Sequence, residues 1–199
     1  MVDRLTPTTP LRERRRLVAR QALLDAYVEL ALEGGAEAIT FARLAERADV
    51  SERTVFRHFA SRAELDEAFD ALLLERMGFL GFPTRLADVP AFIEDLHGRF
   101  DELADLMTVA VRTATARLQP AQERRLAELR DALSDDLEAL PGDRTEEVVA
   151  VLDLLISATC WHRLHHLAGL TDGRGPRAAA ETARAVIDRI TREHPKEGL

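Results

Sequence analysis

Cysteine is nearly missing: Cys160 stands alone among 199 residues. A single thiol cannot close an intramolecular disulfide, so no disulfide framework organises this chain, and the usage suits a reducing cytoplasm. Glycine (10) and proline (8) are scarce and no alternating β-branched runs occur, which argues against a turn-rich β architecture. No apolar run is long enough to span a bilayer, and MVDRLTPTTPLRERRR lacks the apolar segment of a secretory signal, so no membrane partner is expected. Catalytic signatures are absent too. There is no G-x-S-x-G, H-E-x-x-H, P-loop or dinucleotide-binding glycine pattern, so neither an enzymatic activity nor a cofactor is expected.

What is present favours helix. Ala, Leu, Arg and Glu dominate, with 46% hydrophobic and 31% charged residues, and the fold class expected is all-α. The net charge of −8 is unevenly distributed. Residues 1–66 hold 11 Arg and 11 acids, whereas residues 67–199 hold 15 Arg and Lys196 against 24 acids. Arg4, Arg12, Arg14, Arg15, Arg16 and Arg20 face only Asp3 and Glu13 in the first twenty residues, a basic arm suited to a polyanion. The same arginines also suit a merely solvated leader.

Periodicity and capping residues predict the elements. Leu23, Ala26, Tyr27 and Leu30 mark a helix over about 11–33 that Gly34 and Gly35 stop. Thr40 caps a short helix to Arg47, and Ser51 caps a second over 52–59. Ser61 and Glu64 form a capping box that starts a helix to about Gly81. Further helices are expected at about 90–104, 105–118, 120–140, 144–170 and 176–193. The division expected is a three-helix unit over 1–60 and a larger helical body over 61–199.

The stretch TFARLAERADVSERTVFRHF, residues 40–59, has helix-turn-helix spacing. Small Ala45 lets the second helix cross close to the first, Val50 plugs the turn, and Val55 and Phe59 anchor the second helix from below. That leaves Glu52, Arg53, Thr54, Arg57 and His58 for the outer face or tip. Arg can bond guanine bidentately, Glu can accept from cytosine, and Thr can meet a base edge or a thymine methyl. Ser51, as the cap, leaves free N–H groups that can face a phosphate.

With the preceding helix and the glycine pair, TFARLAERADVSERTVFRHFASRAEL resembles the TetR family of transcriptional regulators over about residues 15–70. The resemblance implies a DNA-binding domain followed by a ligand-binding and dimerisation domain. It implies that Thr40 and Arg43 touch phosphates flanking the groove, that Glu52, Arg53 and Thr54 lie nearest the bases, that Phe56, Arg57 and His58 line groove and backbone, and that Arg62 clamps a phosphate. Two positions depart from the family pattern. Asp49 holds the turn position usually given to glycine, and Phe56 replaces a tyrosine and loses its hydroxyl.

In the body, VVAVLDLLISATCW carries Asp153 as its only charge, and a helix apolar nearly all round needs cover on two sides. The last helix offers Ala179, Ala183, Val186, Ile187 and Ile190. Pairing these two helices with their symmetry mates would make a homodimer, whose reading heads, roughly 34–36 Å apart, suit a near-palindromic double-stranded operator. The resemblance implies the same interface, and an apolar small-molecule effector. Candidate pocket residues are Phe79, Phe92, Leu96, Phe100, Leu106, Met107, Val111 and Trp161, with Thr108 and Arg112 as polar groups, although Arg112 equally suits solvent. His162, His165 and His166 beside Cys160 have helical metal-ligand spacing, but no carboxylate matches it, and no metal is expected. The function expected is a cytoplasmic, ligand-responsive repressor released from its operator. The alternatives are an activator, or a metal-dependent enzyme built on the histidines.

Overall fold

The computed structural model describes residues 10–79, 81–113, 118–138 and 140–193, and the side chains of these except 118–121 and 143. Every regular element among them is helical. The predicted start of the basic arm, with Arg4, and residues 114–117 of the predicted sixth helix lie outside the described residues.

The first compact unit comprises Met1–Phe79 and Asp105–Thr113. Its helices are α1 (Leu11–Gly34), α2 (Phe41–Arg47), α3 (Glu52–His58), α4 (Arg62–Met77) and α6 (Ala104–Thr113, from Asp105). α1 buries Leu23, Leu24, Ala26, Tyr27, Leu30 and Ala31. It stops at Gly34, and Gly35 adopts φ +67°, a left-handed conformation that favours glycine. The capping box forms as expected. Ser61 accepts from the Glu64 N–H at 3.2 Å, and the Glu64 carboxylate accepts from the Ala60 N–H at 2.7 Å. Tyr27 stacks on Phe69 at 4.9 Å and donates to Asp66 at 2.8 Å, tying α1 to α4.

The second unit comprises Leu80–Ala104 and Ala114–Leu199. It holds α5 (Val89–Glu102), α7 (Leu118–Ala132), α8 (Ser134–Leu137), α9 (Gly142–Ile156), α10 (Ala158–His162) and α11 (Arg174–Glu193). Two expectations change here. The long helix at 144–170 is broken: Ser157 is extended, caps α10 through the Cys160 N–H, and donates back to the Leu154 carbonyl at 2.7 Å. A serine that offers the backbone both an acceptor and a donor competes with the helical ladder, and the segments on either side differ in direction by 51°. After α10 the chain closes one wide π turn over Arg163–Leu167. The second change concerns α11. Ala179, Ala183, Ile187 and Ile190 are buried within the single chain and Val186 is half-buried, where α11 packs chiefly on α5 and also on α9. That face is therefore not left for a partner. The exposed large apolar residues of α9 are Val151 and Leu154. Among the described residues no single helix is long and apolar enough to cross a membrane.

Asp153 is explained by Arg125 of α7. The guanidinium bonds both carboxylate oxygens, Nε at 2.5 Å and Nη2 at 3.0 Å, so the buried charge is paired on two prongs.

Candidate nucleic-acid interface

α2 and α3 form a helix-turn-helix whose geometry follows from a few side chains. Thr40 caps α2 and Ser51 caps α3, each hydroxyl accepting the N–H three residues on at 3.2 Å. Between them Asp49 takes φ +52°, and the Val50 N–H closes back on the Ala45 carbonyl at 2.9 Å. The left-handed region costs an ordinary L-residue about 1–2 kcal/mol, and Asp less. Asp49→Gly should therefore stabilise this unit by up to about 1 kcal/mol, which urea unfolding will register; a loss of stability would show that the aspartate makes a needed contact.

Leu44, Val55 and Phe59 are fully buried, and Ala45 nearly so, which sets α3 on its platform. The Arg20 guanidinium covers the Phe59 ring at 4.7 Å. Glu52, Arg53, Phe56 and Arg57 are exposed, and Thr54 is half-buried with its hydroxyl 3.0 Å from that of Ser51. Among the described residues Arg53 and Arg57 have neither a hydrogen bond nor an ion pair. Other arginines are held internally. Arg47 bridges Glu29 (3.0 Å) and Glu33 (2.8 Å), and Arg43 bonds Glu33 at 3.3 Å and the Ala38 carbonyl at 3.0 Å. A groove on the same unit is lined by Arg14, Arg15, Val18, Ala19, Ala22, Ala48 and Val50.

Two positions differ from expectation. His58 is not outward: it is 7% exposed, and its Nε2 has no hydrogen-bond partner among the described residues. α3 lasts only about two turns, and His58 falls on its inner side next to Phe59. Burial, then repulsion from Arg57, Arg16 and Arg20, pushes the imidazole pKa below its ordinary value. Arg62 is not a free clamp either. It bonds Asp66 at 2.8 Å, the Ile39 carbonyl at 2.9 Å and the Ala36 carbonyl at 3.3 Å, bracing α4 against the segment that enters α2.

The residues expected around an effector fall in two groups. In the second unit Leu96, Phe100 and Trp161 are buried, with Phe100 and Trp161 edge to face at 6.0 Å, while half-buried Phe92 lies 5.9 Å from Phe82. In the first unit Met107 is buried, Leu106, Thr108 and Val111 are half-buried, and Phe79 is exposed. Arg112 is exposed, and one of its Nη groups donates to the Leu32 carbonyl at 2.6 Å, satisfying the last turn of α1. Asp101 is the residue missed by sequence reasoning. It accepts from the Trp161 indole at 2.7 Å and lies 3.1 Å from His165 Nδ1. The available signal was Trp161 itself, since a buried indole N–H needs an acceptor. His162, His165 and His166 do cluster, with ring centroids 4.7 Å apart for the pairs 162–166 and 165–166. Among the described residues no three His, Cys, Asp or Glu side chains are placed to hold a metal ion.

Comparison with known proteins agrees with this geometry. Residues 23–69 match the family model for bacterial regulatory proteins, tetR family. The HTH-type transcriptional regulator TcmR of Streptomyces glaucescens is 42% identical over 79 residues, covering 35% of this chain and 35% of that protein. The match thus spans about a third of the length of that curated relative. A TetR-like transcriptional regulator from Rhodococcus sp. RHA1 superposes with a TM-score of 0.61 at 17% identity, over 87% of this chain and 96% of that one. A transcriptional regulator from Streptomyces coelicolor gives 0.53 at 20% identity, over 89% and 99%. These solved structures share the fold across nearly the whole chain, while the family match falls on the helix-turn-helix and the helices flanking it. The likeness to the tetR family of bacterial regulatory proteins thus rests on residues 23–69, the helix-turn-helix and its flanking helices, while the solved structures show a shared fold.

Proposed function

We propose that this chain is a cytoplasmic, sequence-specific DNA-binding transcriptional regulator, a homodimeric repressor that leaves its operator when an apolar small molecule binds. Residues 1–60 read the DNA, and residues 61–199 carry the effector site and the dimer contact. The observation that carries this reading is the state of the arginines. Arg53 and Arg57 are exposed on α3, opposite buried Val55 and Phe59, and unpaired among the described residues, while neighbouring Arg43, Arg47 and Arg62 are held by the chain's own acceptors. A helix that fixes its anchors and leaves two guanidinium forks open is arranged for base edges and phosphates. Thr40 and Ser51 cap the N-termini of the two helices, whose remaining free N–H groups suit a phosphate.

Release follows from population shift. An effector that prefers a conformation with badly spaced reading heads lowers DNA affinity by its differential affinity for the two conformations. The test begins with sites selected from a random duplex pool. Arg53→Ala and Arg57→Ala should each weaken the selected site by about 1–3 kcal/mol, and should relax preference at one base position per half-site. If both variants bind as tightly and as selectively as wild type, α3 is not the reading element.

A further inference from the structure

Phe56 stands on the outer side of α3. It is 55% exposed, although a phenyl ring left in water stabilises nothing. Its ring is held, not free. Phe41, the first residue of α2, meets it edge to face with centroids 4.8 Å apart and planes at 62°. The two rings make a small apolar wall on the flank of the helix that also presents Arg53 and Arg57.

A phenyl ring can neither donate to nor accept from a phosphate or a base edge. The apolar group that a major groove offers at its edges is the 5-methyl of thymine. Resting on the function proposed above, we propose that Phe56, braced by Phe41, reads a thymine methyl in each half-site and is a specificity-determining residue. The geometry also places that thymine. Phe56 follows Arg53 by three residues on one helix, so their Cβ atoms lie about 5–6 Å apart along the groove. With bases stacked at about 3.4 Å, the thymine lies about one or two base pairs from the base read by Arg53.

The test uses the full chain and needs no variant for its first arm. Sites are selected from a random duplex pool, each fixed thymine is replaced in turn by deoxyuridine, and binding is compared. Removing one buried methyl should weaken wild type about fourfold at a single position per half-site. Phe56→Ala should bind thymine and uracil duplexes alike, and its selected sites should lose the preference for thymine there. Phe56→Leu, which keeps an apolar group, should retain part of the discrimination. Selected sites with no fixed thymine, or equal wild-type binding to every uracil-substituted duplex, would overturn the proposal while leaving the regulator reading standing. Failure of the pool to yield any preferred sequence would overturn both.

Discussion

Replacing Arg125 by alanine should lower folding stability by about 3–5 kcal/mol, the cost of leaving a buried carboxylate without its counter-charge. Asp153 is only 3% exposed on α9, and its two oxygens are met by Nε and Nη2 of one guanidinium. The reverse substitution should cost less. The Arg125 side chain is 33% exposed, so in Asp153→Ala it can turn to water, whereas the carboxylate in Arg125→Ala cannot. Replacing both residues together, as Arg125→Met with Asp153→Leu, should recover most of the loss, because an apolar pair carries no desolvation penalty. Urea unfolding of the four proteins, followed by circular dichroism with m-values checked for constancy, separates these costs. An Arg125→Ala protein within about 1 kcal/mol of wild type would mean that water reaches Asp153 and that the site is not sealed.

That ion pair also marks where sequence reading stops. Local chemistry was legible. The glycine pair that ends α1, the caps at Thr40 and Ser51, the capping box at Ser61 and the anchors Val55 and Phe59 all lie where their spacing put them, because each depends on neighbours three or four residues away. Long-range partners were not. Asp153 stood out as the one charge in an apolar stretch, yet nothing in the sequence chose Arg125, 28 positions away. The indole of Trp161 called for an acceptor, and its acceptor is Asp101, 60 positions away. His58 went wrong for a different reason. On a helix of seven residues the inner and outer sides are set by a few side chains, and a histidine between an exposed Arg57 and a buried Phe59 can fall on either side. Arg62, expected as a phosphate clamp, and Arg112, expected in a pocket or in solvent, each meet a backbone carbonyl left open where a neighbouring segment ends, a demand that exists only in the folded chain. The unbroken helix over 144–170 failed at one hydroxyl, since an apolar pattern does not reveal whether Ser157 will bond outward or to its own backbone.

The burial of α11 within the chain leaves α9 as the open one of the two helices expected at the dimer contact, and one substitution tests it. Leu154 is 57% exposed and Val151, one turn earlier on the same helix, is 40% exposed, which leaves an apolar strip beside a fully used core face of Val148, Val149, Leu152 and Ile156. Covering the half of each side chain that is still exposed stabilises an association by roughly 1 kcal/mol each, and a two-fold axis doubles the count. Leu154→Arg should therefore convert a dimer into a folded monomer, seen as halved mass by light scattering with an unchanged helical spectrum. Operator binding should fall with it. Two linked reading heads gain about 10²–10⁴ in affinity over one, so the monomer should lose a factor in that range on a palindromic site and little on an isolated half-site. Ile187→Arg is the contrast, because Ile187 is 6% exposed and buried inside the chain: it should unfold the protein rather than divide it. If Leu154→Arg stays dimeric and binds as wild type, the strip on α9 is not the seam, and the partner must lie on another surface.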